Sequence, residues 1–435
     1  MKVAIIGAGL SGLSAAAKLR GRAEVELFEK NSFPGGLCST VEKGGYFFDY
    51  TGHFLHFADR DMKRRVGSLF RDDYLLEKKR KSGIFFEKKF IPYPFQSHTA
   101  YLPLKEKREC LIGFLKAAFN AEDNGGDNFY RWMMSRFGDG IVKYFMRPYN
   151  NKLWACHPRE MTTGWMKRFV PAPQTEDILA GALSGGKEKE GYNALFYYPR
   201  KGIGALPLKL AREAGEIAYN REVEKVYTRE KTLMAGGKKY SYDFLINTSP
   251  LKSFALKVAE CPEKLKKAAR RLRHTSVLNI NLGWKGSTGP AVPDGCHWLY
   301  FPEEKYDFYR VGFPSNISSY STPEGRSSCY VEISFESENF PHKSKFGSIK
   351  DKTEDDLKKA GVIPPGARIE EEVILPIDCA YVVYDSQRDD AVRFILDYFS
   401  EKSVYSGGRY GAWEYSTMED ALKWGERLAE KCLKK

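Results

Sequence analysis

The first thirty residues leave little freedom about what this chain begins by folding into. Residues 3–6 (V-A-I-I) run into G-A-G-L-S-G at 7–12. An alanine-rich stretch follows at 13–19, then V-E-L-F at 25–28, which reads as a second strand and ends on Glu29. Strand, tight turn, helix and strand in that order make a βαβ unit of a parallel sheet, whose buried strands are short unbroken apolar runs. Gly7, Gly9 and Gly12 fit G-x-G-x-x-G. The first glycine permits the tight turn, the second lets a pyrophosphate reach the backbone, and the third lets helix and strand pack closely. Ser11 falls in the first helical turn, where free N–H groups and the positive dipole end favour phosphate. Glu29 is placed to accept hydrogen bonds from a ribose. A glycine loop with no ligand is the bland alternative, and the strand–helix–strand context with its terminal acid outweighs it.

Composition narrows the class. A chain of 435 residues suggests two to four domains. Hydrophobic residues make up 42%, which excludes disorder as the main state. The 39 glycines and 21 prolines follow no period, which excludes a collagen-like or low-complexity chain. A net charge of +13 favours an anionic partner, whether nucleic acid, acidic lipid or a phosphorylated small molecule. The basic run at 266–273 reads as a solvated helix face. None of the eight cysteines shows a metal-ligand or CxxC spacing, so no metal site is expected. Reduced thiols and no recognisable secretory signal predict a cytoplasmic protein. No apolar stretch reaches the length of a membrane span, so no integral membrane segment is expected.

The rest of the chain is expected to be mixed. Residues 112–168 carry apolar and aromatic side chains at threes and fours, the helical spacing. Residues 180–191 (A-G-A-L-S-G-G-K-E-K-E-G) read as a mobile surface loop. Residues 222–246 alternate around Gly236-Gly237, and 277–282, 298–301, 309–313 and 329–335 read as strands of an antiparallel sheet. Residues 420–433 read as an amphipathic helix.

Beyond Glu29 the sequence K-N-S-F-P-G-G-L-C-S-T contributes Lys30, Gly36, Leu37 and Ser39. It resembles the extended FAD fingerprint of the amine oxidase and protoporphyrinogen oxidase superfamily; simple NAD dehydrogenases lack the second Gly-Gly. Near the other end, Y-S-G-G-R-Y-G at 405–411 precedes Met418 and Glu419. In that superfamily the matching stretch closes over the flavin. The resemblance therefore implies FAD as cofactor, with Val223, Gly408, Arg409, Met418 and Glu419 completing its site. It also implies an α/β fold with a discontinuous Rossmann-like FAD-binding domain, a helical insertion domain and an antiparallel β-sheet substrate domain. The expected division is 1–75, 191–260 and 386–435 for the FAD domain, 76–100 and 261–385 for the sheet domain, and 101–190 for the helical domain.

The middle of the chain resembles the UDP-galactopyranose mutase family, in order and along nearly its whole length. The resemblance is carried by Arg80, Ser82, Tyr93 and Gln96, by Asn150 to Trp154, and by Asn193 with Phe196. It continues through Tyr300, Arg310, Tyr381, Arg409 and Tyr415, with Gly52-His53 beside the flavin. Arg168 reaches the position of a phosphate-contacting arginine only with a one-residue offset. These residue types suit a nucleotide diphosphate sugar: arginine forks grip diphosphate oxygens, tyrosine hydroxyls donate without charge, and aromatic faces stack on uracil. Taken singly, each aromatic reads as core and each arginine as a surface charge; the ordered spacing outweighs that. Departures cluster at the sugar and diphosphate end. Ser416 to Asp420 stand where the eukaryotic-type branch has Asn-Gln-Asp-His, Ser315-Asn316-Ile317 stand near its mobile tyrosine, and His56 lies only three residues after His53.

The resemblance implies a non-redox interconversion of UDP-galactopyranose and UDP-galactofuranose by covalent catalysis through N5 of reduced FAD. UDP leaves, the sugar ring opens and recloses at the other size, and UDP returns. His53, Arg168, Arg310 and Arg409 would be catalytic. Arg80, Ser82, Tyr93, Gln96, Asn150, Trp154, Asn193, Phe196, Tyr300, Tyr381 and Tyr415 would bind substrate, and residues 170–191 would close over UDP. The partner would be a UDP-sugar, with no nucleic acid; NAD(P)H is a candidate reductant, a furanose-containing cell-surface glycan the expected destination, and a homo-oligomer is left open. The alternatives are a flavin oxidase or desaturase on the same fold, a mutase for another nucleotide sugar, and a non-catalytic sensor of nucleotide sugars.

Overall fold

A computed structural model describes residues 1–73, 75–119, 126–166, 169–170, 173–185 and 194–435. Five parallel strands form its first sheet, in the order Val404–Ser406, Phe244–Asn247, Lys2–Ile6, Glu24–Phe28, Ile217–Ala218. Val3 lies opposite Phe244 on one side and Val25 on the other. Strands from the beginning, middle and end of the chain thus meet in one sheet. The helix Leu10–Leu19 packs against Met418–Leu433, where Ser14 Oγ donates to the Leu422 carbonyl at 2.8 Å. The contact is close because position 425 is glycine; a Cβ there would run into the Ser11 carbonyl.

The second sheet has seven strands, ordered Ile369–Val382, His274–Lys285, Arg326–Glu336, Arg310–Gly312, Trp298–Tyr300, Ser82–Phe86, Lys89–Pro92. All its pairings are antiparallel except one: Trp298–Tyr300 runs parallel to Ser82–Phe86. These two segments are far apart in sequence, so no hairpin constrains their direction. The expected strands at 277–282, 298–301, 309–313 and 329–335 all belong to this sheet. The expected turn at Gly236-Gly237 joins Thr232–Ala235 to Lys238–Ser241, with both glycines in the left-handed region (φ 54° and 73°) that a two-residue hairpin turn demands.

The helical layer consists of Leu104–Phe119, Phe129–Ile141, a π-helical turn Val142–Met146 and Arg147–Trp154. One expectation needs correction. Residues 180–183 are not loop but the end of a helix, Thr175–Leu183, with Gln174 and Asp177 forming a capping box. Gly181 lets this helix close onto the Ser97 backbone, and Ile178 and Ala182 are buried. Its glycine and its charged neighbours hid a helix that tertiary contact stabilises. Residues 186–191 lie outside the described residues. No helix among the described residues is long and apolar enough to cross a membrane.

Candidate active site

One continuous cavity of about 960 Å³ begins at the carboxyl ends of the parallel strands, at Ile6 and Phe28, and runs under the seven-stranded sheet to the helical layer. That is the upper end of ordinary ligand sites, roughly 300–1,000 Å³, and its start is where open parallel sheets bind ligands. Gly7, Gly9, Ser11, Glu29, Lys30, Gly36, Leu37, Val223, Arg409 and Met418 line it. Gly12, Ser39, Gly408 and Glu419 stand behind the wall. At position 12 a Cβ would strike the Gly7 carbonyl, so this glycine sets helix packing. Ser39 donates to the Gly36 carbonyl at 2.9 Å and holds that turn. The Glu419 carboxylate is buried and accepts from the Ala58 and Asp59 amides at 3.1 and 2.8 Å.

The residues at this end fit an ADP-containing cofactor. The helix Leu10–Leu19 starts on Gly9 with no side-chain cap and no acid in its first turn, so its N–H groups stay available to phosphate. A Cβ at Gly9 would meet nothing within 4 Å, which leaves room for a phosphate against the backbone. The Glu29 carboxylate is fixed by the Ala8 and Asn31 amides at 2.8 and 2.9 Å, which aims it rather than leaving it to rotate.

At the far end the structure brings together residues as far apart in sequence as His53 and Tyr415. His53, Arg80, Tyr93, Gln96, Asn150, Tyr300, Arg310, Tyr381, Arg409 and Tyr415 all line the cavity. The Arg409 guanidinium lies 4.9 Å from the Tyr415 ring centre and 5.5 Å from that of Tyr381, and donates to the Ser416 and Ala380 carbonyls at 2.8 and 3.2 Å. Arg80 stacks over Tyr93 at 4.6 Å, and Tyr93 packs on Tyr300 at 5.6 Å. Ser82, Trp154 and Phe196 are buried behind this surface. Trp154 is edge-on to Tyr381 and Tyr415, both at 5.8 Å, and donates its indole N–H to Asn150 Oδ1 at 3.2 Å. Phe196 packs on Phe54 and His297. Arg168 and Asn193 lie outside the described residues.

Charge here is balanced locally. Arg310 is held by Glu332 through three hydrogen bonds of 2.7 to 3.0 Å, and the Tyr309 hydroxyl donates to the same carboxylate. Burial, the largest single influence, works against the guanidinium charge, but Glu332 together with Tyr381, Tyr330 and Tyr309 outweighs it and raises the Arg310 pKa well above its usual value. Sequence reading missed Glu332. Its signal was present: a lone acid inside the apolar run C-Y-V-E-I-S-F at 329–335. Tyr149 was also missed; it stacks on Phe145 at 5.3 Å and stands edge-on to Tyr300 at 5.1 Å. Burial, reinforced by Arg409 and Arg310, pulls the His53 pKa down to about 4, so its imidazole is neutral near neutral pH. Burial likewise lowers His56 to about 4 and raises the phenols of Tyr93, Tyr149, Tyr381 and Tyr415. These hydroxyls therefore donate hydrogen bonds without carrying charge. Among the described residues no three His, Cys, Asp or Glu side chains form a metal-binding group.

An uncapped βαβ turn, the fixed carboxylate of Glu29 and a cavity running on to arginines and tyrosines under an antiparallel sheet suit a dinucleotide-dependent enzyme. The chain belongs to the family of flavin-containing amine oxidoreductases, whose model matches residues 10–433. It is a flavin-dependent enzyme of that family. Among solved structures it is similar to reduced UDP-galactopyranose mutase at 26% identity and a TM-score of 0.92, covering 100% of this chain and 95% of that one. The resemblance to the mutase family read from the sequence is borne out by this likeness, as is the fold class. Putrescine oxidase bound to putrescine shares the fold at 14% identity and a TM-score of 0.64, with both chains fully covered. A curated relative, 4,4'-diapophytoene desaturase of Staphylococcus aureus (strain COL), is 48% identical over 50 residues. That match spans 11% of this chain and 10% of the desaturase.

Proposed function

We propose that this protein is a nucleotide-sugar mutase that interconverts UDP-galactopyranose and UDP-galactofuranose. The observation that carries the reading is the convergence of Arg310 and Arg409 with the hydroxyls of Tyr300, Tyr381 and Tyr415 in the cavity that Glu29 also lines. Reduced FAD, when bound, supplies the nucleophile for covalent catalysis at the anomeric carbon. Gly7, Gly9, Ser11, Glu29, Lys30, Gly36, Leu37, Val223 and Met418 hold it. The protein's own part is grip and position.

Arg409 and Arg310 stabilise the diphosphate as the anomeric C–O bond breaks and hold UDP for its return, with the tyrosine hydroxyls sharing the load. Two cations and several neutral donors suit a leaving group that must stay bound, since UDP is the nucleophile of the reverse step. Neutral His53 beside both arginines orients ring edges without adding charge. Tyr149, Tyr93 and Asn150 face the nucleobase. Arg168 and Asn193 complete the set in this reading. The division into a cofactor domain (1–75, 191–260, 386–435), a sheet domain (76–100, 261–385) and a helical domain (101–190) belongs to the same proposal.

A desaturase or oxidase reading finds support in the short desaturase match and in the apolar wall of Phe129, Met133, Phe145 and Met146. Arg409 opposes it: Arg310 is already paired with Glu332, whereas the Arg409 guanidinium meets the backbone carbonyls of Ser416 and Ala380, and an apolar or cationic substrate would leave its charge without an anion. Titration of the FAD-loaded protein with UDP, followed by flavin fluorescence, separates the two. The expected result is saturable binding that Arg409→Lys weakens at least tenfold, through loss of a planar fork worth about 1.5–3 kcal/mol. No UDP binding would remove the mutase reading.

A further inference from the structure

We infer that Lys152 is a positioning residue that fixes Tyr300 and Arg310 relative to the helix forming the nucleobase side of the cavity. The inference rests on the nucleotide-sugar reading above. Lys152 lies on Arg147–Trp154, between Asn150 and Leu153, which both line the cavity. It is not itself part of the cavity wall. Its Nζ enters the bend that joins Trp298–Tyr300 to Arg310–Gly312 and donates to the carbonyls of Phe301 (2.8 Å), Glu303 (2.6 Å) and Phe308 (3.3 Å). An ammonium has three donors, and here each has its own acceptor.

The place of those acceptors gives the contact its meaning. Phe301 follows Tyr300 directly, and Phe308 lies two residues before Arg310. A single cation on the helix therefore draws in both ends of the bend, and both ends carry a cavity residue. The same helix carries Tyr149, whose ring meets Tyr300 edge-on. Asp307, Glu303 and Glu304 face Lys152 from the bend. Lys352, on Phe346–Lys359, opposes them and is itself bonded to Asp307 at 2.6 Å. Burial is the largest influence on Lys152 and lowers its pKa to about 8. Above that pH the amine keeps two N–H donors, and one of the three carbonyls loses its partner. A residue that only stabilised the fold would leave ligand affinity unchanged. A residue that sets the distance between two walls of one site alters it, because a displacement of about 1 Å costs up to about a hundredfold in function.

The experiment compares FAD-loaded wild type, Lys152→Arg and Lys152→Gln. Each is titrated with UDP by flavin fluorescence between about pH 6.5 and 9, spanning the lysine's depressed titration, with thermal unfolding measured alongside. Wild-type affinity is expected to fall severalfold above pH 8. Lys152→Arg, which keeps charge and donors, should retain most of the affinity at neutral pH and lose that alkaline limb. Lys152→Gln should bind about tenfold more weakly at neutral pH, as expected for lost charge-assisted hydrogen bonds. Variants that bind UDP as tightly as wild type at every pH overturn the inference, even if they unfold at lower temperature. So does an alkaline limb that persists in Lys152→Arg, the arm that decides if Lys152→Gln fails to fold. Absence of UDP binding by wild type overturns the nucleotide-sugar reading first, and this inference with it.

Discussion

Single side chains decide the chemistry of this site by how their charges are met. Glu332 is fully buried and binds the mostly buried Arg310 bidentately. Removing one member of such a pair costs about 3–5 kcal/mol, because the other charge stays buried without a partner. Glu332→Ala is therefore expected to lower unfolding free energy by about that much in urea denaturation; a loss below about 1 kcal/mol would mean that Arg310 finds another anion. His53 gives a pH signature. Its folded pKa, about 4, lies below the ordinary 6.5, so the unfolded chain binds the proton more readily. Its contribution to stability is present above pH 6.5 and is lost as pH falls toward 4. Asp49, buried and raised to about 6, works in the opposite direction, so the informative quantity is a difference. His53→Gln should show a shallower loss of stability between pH 6.5 and 4 than wild type; parallel curves would mean that His53 takes up its proton in the folded state. The arginines and tyrosines were legible because they follow, in order along the chain, the positions of the family that the sequence resembles. Glu332 stayed hidden because pairing with Arg310 is a fact of register, set by the alignment of Arg310 with Glu332 across two strands.

Secondary-structure elements were legible in proportion to how local their causes are. The βαβ unit and the Gly236-Gly237 hairpin follow from neighbours in sequence, and both stand where the residues put them. The helix Thr175–Leu183 does not, because burial of Ile178 and closure of Gly181 onto Ser97 come from distant segments. Nor does the parallel join between Trp298–Tyr300 and Ser82–Phe86, whose direction no turn dictates. The packing of Met418–Leu433 on Leu10–Leu19 makes a prediction for one element acting on another. Gly425→Val would force the C-terminal helix off the Ser11 backbone and cost about 1–3 kcal/mol. Because Ser11 lies in the turn that faces the cavity, FAD retention on gel filtration should fall together with thermal stability. Lower stability with full FAD retention would show that the cofactor turn does not feel the C-terminal helix.

Over the whole molecule, one cavity joins two chemistries that lie far apart along the chain. The end at the parallel strands is built by residues from 6 to 37 with 223 and 418, and the far end by residues from 53 to 415. The fold is shared with oxidases, so the fold alone does not choose the reaction; the arginines and neutral phenols at the far end carry that choice. The most direct test is an anaerobic assay of the FAD-loaded protein with UDP-galactofuranose, with and without dithionite, read by chromatography for UDP-galactopyranose. The account predicts conversion with dithionite-reduced protein and none with the oxidised form. No conversion in either state, or conversion that ignores the state of the flavin, would contradict it.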